Sequence, residues 1–131
     1  MARASKSMVI VVDDDDAIRA SMRFLLESEG LEVQDYASGK ALIAAAWPPT
    51  SVGCVVLDIH MPEMDGLDLL ERLRQTHSKV PVIMVTGRPT PANRNRALSA
   101  GALDVLEKPL NDGRFLELVH DALERNPKTA N

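Results

Sequence analysis

Five short apolar runs, each followed by a stretch with helical spacing, constrain this chain more than anything else in it. Val9–Val12, Leu31–Tyr36, Val52–Leu57, Val80–Val85 and Asp104–Glu107 read as strands. The first, third and fourth are almost continuous Val, Ile, Leu and Met. A strand with one wet face alternates apolar and polar residues, so uninterrupted runs belong to parallel strands covered on both faces. Ile18, Met22, Leu25 and Leu26 fall at i, i+4, i+7 and i+8, one stripe of a helix that Gly30 stops. Ala41–Trp47 reads as a second, Ala-rich helix ended by Pro48 and Pro49. Leu67, Leu70 and Leu73 line a third that opens after Gly66. Pro91–Ala100 is a fourth, ended by Gly101, and Phe115, Leu116, Val119, Ala122 and Leu123 line a fifth. Strict strand–helix alternation predicts a doubly wound α/β fold around a parallel sheet.

The remaining composition narrows the function classes. A chain of 131 residues suits one domain, and 45% apolar residues supply a core. A net charge of −4 makes the chain as a whole a poor nucleic-acid binder. Apolar runs all fall short of a membrane span, so no membrane partner is expected. The opening MARASKS lacks the apolar stretch of a signal peptide and reads as a disordered tail over residues 1–7, with the domain over 8–125 and a polar tail over 126–131. The lone Cys54 sits in an apolar strand, which rules out an internal disulfide and fits the reducing cytoplasm.

Doubly wound sheets bind ligands beyond the carboxyl ends of their strands. Asp13, Asp14, Asp15 and Asp16 follow the first strand, Asp58 the third, Thr86 and Gly87 the fourth, Lys108 and Pro109 the fifth. Taken singly, such residues serve as helix caps and turns. Together they bring carboxylates, a hydroxyl and an ammonium to one rim. Two carboxylates ~4 Å apart repel by about 4 kcal/mol at an effective dielectric near 20, so the three pairs among Asp13, Asp14 and Asp58 cost on the order of 10 kcal/mol. Protonation, wider spacing or a cation has to offset this, and Lys108 supplies a single charge. An all-oxygen donor set favours a hard ion such as Mg²⁺. A carboxylate beside such an ion is a competent nucleophile for aspartyl-phosphate chemistry.

Four segments in this order, VDDDD, LDIHMPEMDG, VTG and EKP, resemble response-regulator receiver domains, and the resemblance runs from about Val9 to Leu123. VVDDDDAIRASM and the run from VTG to AGALDVLEKPL resemble the FixJ/NarL-like subtype. The resemblance implies a flavodoxin-like (βα)5 fold of the CheY-like superfamily, with strand order 2-1-3-4-5. It implies a two-component phosphorelay module rather than an enzyme with an external substrate. Asp58 would be the phosphoacceptor. Asp13, Asp14, Asp58 and the backbone carbonyl of His60 would hold Mg²⁺. Thr86 and Lys108 would stabilise the phosphoryl group, and the Lys108–Pro109 peptide would be cis. Asp15 and Asp16 would cap the first helix and complement its dipole. The side chains of His60 and Arg88 occupy positions that tune phosphoryl lifetime in the family. Implied partners are a histidine kinase or phosphotransfer protein, an output such as a transcription regulator, and a second copy through the fourth helix and fifth strand.

The sequence departs from the family at Val105, where an aromatic ring usually acts as the switch. Val has one stiff torsion and little area, so it cannot perform a ring swing. Leu110 is likewise smaller than the usual Phe. The departure at Val105 favours an alternative: an interaction module derived from a receiver that no longer needs phosphate. Asp13 and Asp15 also form the D-x-D of a haloacid-dehalogenase-type phosphatase, but Ala17 and the MPEMDG segment do not suit that family. Arg94 and Arg96 oppose the dipole at the start of the fourth helix, which suggests an acidic partner. His77, His120 and Trp47 carry no spacing for zinc or a catalytic triad.

Overall fold

The computed structural model describes residues 8–45, 52–77 and 79–125. Strands β1 (Met8–Val12), β2 (Glu32–Tyr36), β3 (Val52–Asp58), β4 (Val82–Thr86) and β5 (Asp104–Glu107) form one parallel sheet in the order β2-β1-β3-β4-β5. Helices α1 (Asp16–Ser28), α2 (Gly39–Ala44), α3 (Gly66–Thr76), α4 (Pro91–Ser99) and α5 (Asp112–Arg125) alternate with them. The flavodoxin-like expectation therefore holds, strand order included.

Side-chain alternation divides the continuous runs between two cores. Ile10, Val12, Val55, Leu57, Val82 and Met84 face one side, where Leu42 of α2 and Leu67, Leu69, Leu70 and Leu73 of α3 cover them. Val9, Val11, Cys54, Val56, Ile83 and Val85 face the other, under Met22 and Leu26 of α1 and Phe115, Leu118, Val119 and Ala122 of α5. Burial pushes the Cys54 thiol up to about 12, so it stays a neutral packing group.

Several boundaries differ from the sequence expectation for local reasons. The fourth strand begins at Val82 rather than Val80. The Val80 carbonyl accepts from Arg74 Nη1 at 2.7 Å instead of joining the ladder. The second helix begins earlier, because Ser38 caps it by accepting from the Ala41 amide at 3.0 Å. It also closes earlier, at Ala44, with Ala45 already extended. Trp47, Pro48 and Pro49, and both expected tails, lie outside the described residues. Gly30 and Gly101 do end their helices, each with positive φ (81° and 93°) and the paired amide-to-carbonyl bonds of a Schellman close.

Candidate functional site

The chain reverses direction of winding between β1 and β3, and the candidate site lies at that switch point. Register pairs Val12 with Leu57, so Asp13 leaves β1 beside Asp58 at the end of β3. Asp58 in turn pairs with Val85, and Thr86 with Glu107, which brings Thr86 and Lys108 to the same rim. The Lys108 amide donates to the Thr86 carbonyl at 2.8 Å, and the Lys108–Pro109 peptide is cis as expected.

Among the described residues, the buried polar or charged side chains are Asp13, Asp58 and Thr86, all at this rim. Asp13, Asp14 and Asp58 each present a carboxylate oxygen within 4.8 Å of the others, with Asp14 exposed. Lys108 Nζ stands 2.9 Å from Asp13 Oδ2 and 3.2 Å from Asp58 Oδ1. Burial and then the charge of Asp13 push the Asp58 carboxyl up to about 6, against the opposing pull of Lys108. For Lys108, burial opposes the charged form, but contact with Asp13 and the charge of Asp58 outweigh it and hold the ammonium above its ordinary value. The repulsion expected among these carboxylates thus has a direct counterpart: the acid cluster resists ionisation at Asp58.

The loops around the cluster are braced by short contacts. Asp13 Oδ1 accepts from the Asp15 amide at 2.9 Å, and Asp15 caps α1 by accepting from the amides of Ala17 and Ile18. Asp16 occupies the first turn and pairs with Arg19 at 2.6 Å, complementing the dipole rather than capping. Arg19 Nη1 also donates to the Asp13 carbonyl at 2.7 Å, which fixes the turn that carries the acids. Sequence reasoning missed that role, although the i, i+3 spacing of Asp16 and Arg19 was available as a signal. Asp65 caps α3 by accepting from the Asp68 amide at 2.9 Å. Gly66 sits hard against the end of β3: its amide donates to the Ile59 carbonyl at 2.8 Å, and a Cβ there would fall 2.1 Å from the Asp58 carbonyl oxygen.

The other candidate residues are placed as follows. Thr86 Oγ1 accepts from the Arg88 amide at 3.0 Å, which leaves its proton free to donate elsewhere. His60 is half-buried, and its Nε2 is buried without a hydrogen-bond partner. Arg88 is exposed. Val105 is half-buried and packs against the core on the α3 face, outside the acid cluster. His120 is exposed and meets Glu29 at 3.0 Å. A groove of about 510 Å³ between α1 and the start of α5 borders Lys108 and is lined by Ile18, Met22, Leu25 and Leu110. The acidic partner expected for Arg94 and Arg96 is within the chain: Arg94 pairs with Asp104 at 3.1 Å, and Arg96 with Asp68 at 3.0 Å and Glu71 at 2.9 Å. No helix of the described residues is long and apolar enough to cross a membrane.

Comparison with known proteins places the fold and the family. The family model for the response regulator receiver domain matches residues 9–120. The transcriptional regulatory protein FixJ of Azorhizobium caulinodans is 41% identical over 118 residues, covering 90% of this chain and 56% of that protein. FixJ of Bradyrhizobium diazoefficiens is 37% identical over 121 residues, covering 92% of this chain and 58% of that protein. The chain thus spans somewhat over half the length of these relatives. A solved receiver domain (CheY-like) from Methanospirillum hungatei JF-1 superposes with a TM-score of 0.87 at 33% identity, covering 95% of this chain and 98% of that one.

Proposed function

This chain belongs to the response-regulator receiver family, and from that premise we propose that it accepts a phosphoryl group on Asp58 in a Mg²⁺-dependent reaction. It is a receiver domain of a two-component response regulator, a signalling module. The observation that carries the proposal is the buried Asp58 carboxylate, 3% exposed, held against Asp13, Asp14 and Lys108. Three carboxylates against one ammonium leave two negative charges when all are ionised, which a divalent cation balances. Asp13 Oδ2 is buried and faces Lys108 Nζ at 2.9 Å, so the oxygen that would serve as a ligand atom already carries its charge toward the pocket. Asp13, Asp14, Asp58 and the His60 carbonyl would hold the ion; when bound, Mg²⁺ neutralises charge on the phosphoryl oxygens.

The chain's own residues supply the rest. An Asp58 carboxylate oxygen attacks phosphorus as the bond to the donor breaks; the leaving group keeps that electron pair and takes a proton. The donor is a histidine kinase or phosphotransfer protein. Its imidazole approaches over the rim, and the apolar groove beside Lys108 lies next to that path. Lys108 already faces Asp58 and would pair with the new phosphoryl oxygens, with the Thr86 hydroxyl donating to them. The side chains of His60 and Arg88, two positions beyond Asp58 and Thr86, would set how long the acyl phosphate lasts. The charge gained at Asp58 would be relayed, in the cytoplasm, to a partner or attached output such as a transcription regulator. With Val105 in β5, that strand offers the relay no aromatic side chain.

Incubation with Mg²⁺ and acetyl phosphate, followed by intact-mass measurement, tests this. One added phosphoryl mass is expected on the native chain, with none in EDTA and none on Asp58→Asn. An adduct that survives Asp58→Asn, or no adduct at all, overturns it.

A further inference from the structure

Of the long helices, α4 has the least apolar support. Ala97 is its one buried residue, and Leu98 remains 39% exposed. Its sequence, PANRNRALS, contains two Asn, and nine residues are too few to hold a helix without tertiary help. By contrast α5 buries Phe115, Leu118, Val119 and Ala122.

Charge takes the place of that missing contact on both flanks of α4. On the α3 side, Arg96 forks onto Glu71, Nε donating to Oε2 at 3.0 Å and Nη2 to Oε1 at 2.9 Å, and Nη2 also reaches Asp68 Oδ1 at 3.0 Å. On the β5 side, Arg94 Nη1 meets Asp104 Oδ1 at 3.1 Å and donates to the Val105 carbonyl at 3.4 Å. At the C-terminal end, Arg74 of α3 donates to the carbonyls of Ala100 at 2.9 Å and Gly101 at 3.1 Å. Those two carbonyls are the kind that a helix end leaves without partners.

We propose that α4 is clasped to the domain by charge and opens as a separate unit when the Arg96 and Arg94 clasps are weakened, so that ionic strength sets how firmly this face is closed. The screening length falls to ~3 Å in 1 M salt, close to the spacing of these exposed pairs, whereas apolar burial of the α5 kind is not screened. The loop 87–90 is all that separates α4 from Thr86, so the helix stands next in the chain after the candidate site.

Amide hydrogen exchange of the full chain, read segment by segment, tests the proposal. In ~1 M sodium chloride, amides of residues 94–100 should exchange about tenfold faster than at low salt, while those of α5 change by less than about twofold. At low salt, Glu71→Gln and Arg96→Gln should each reproduce part of that rise, Arg96→Gln the larger part because it also releases Asp68, and the double variant should exceed Arg96→Gln by little. Equal acceleration of α4 and α5, no acceleration of α4, or additive effects of the two substitutions would overturn it. Each substitution lies on an exposed surface, and α5 exchange reports directly whether the variant is folded.

Discussion

Two sets of charges in this domain share nearly the same geometry and have opposite effects. Lys108 stands 2.9 Å from Asp13, and Arg96 stands 2.9 Å from Glu71. In the rim pocket the carboxylates outnumber the cation and the side chains are almost dry, with Asp13 at 0% and Asp58 at 4% exposure. There burial pushes the Asp58 carboxyl up to about 6. On the α3–α4 surface the partners are wet, and the hydrogen bond from Arg96 holds Glu71 below its ordinary value while Glu71 raises Arg96. The dry set resists ionisation at Asp58. The wet set favours it, although Asp68 and Glu71 outnumber Arg96 there as well. Spacing alone therefore says little about what an ion pair does; access to solvent decides whether it stores reactivity or acts as a fastening.

The sharpest way to break this comparison is to remove Lys108, the cation that the described residues place in the pocket. Lys108→Met should destabilise the domain by about 3 kcal/mol at pH 8 without divalent ions, since it leaves two buried carboxylates uncompensated. The loss should shrink as pH falls through the Asp58 value near 6, where proton uptake replaces the lysine. Urea unfolding across that range measures it, and a loss independent of pH would place the lysine's effect in packing.

Asp58→Asn is the next largest. A carboxyl raised from 3.8 to about 6 gives the folded state more bound protons than the unfolded chain in that interval, so stability falls as pH rises through it. Removing the charge should therefore stabilise the ion-free domain by about 2 kcal/mol at pH 7, with the gain fading below pH 6 and gone near pH 4. If the variant were instead weaker at pH 7, attraction to Lys108 would outweigh repulsion from Asp13. At the small end is Arg114, which meets Asp104 at 3.3 Å and Glu117 at 3.0 Å on the surface. Arg114→Gln should move the thermal midpoint by no more than about 2 °C, and a larger drop would mean the exposed network is worth as much as the pocket.

What the sequence disclosed follows the same division. The central strands were legible because both faces are covered and the runs are unbroken, and the rim was legible because β1, β3, β4 and β5 each deliver a polar residue at or just past their carboxyl ends. The start of β4 was not, since the Val80 carbonyl is claimed by Arg74, six residues away along a different element. Neither were the partners of Arg96, which lie 25 and 28 residues back in the chain and meet it only when α3 and α4 pack side by side. Position relative to a strand can be read from periodicity; pairing across helices depends on packing angles that periodicity does not encode.

Gly66 adds a mechanical consequence. It leaves no clearance between the first turn of α3 and the peptide of Asp58, so the two behave like a shaft seated in a bearing. Asp68, two residues along that same turn, is a partner of Arg96. The close seat at Gly66 thus joins the Asp58 peptide, through one helical turn, to one jaw of the clasp on α4.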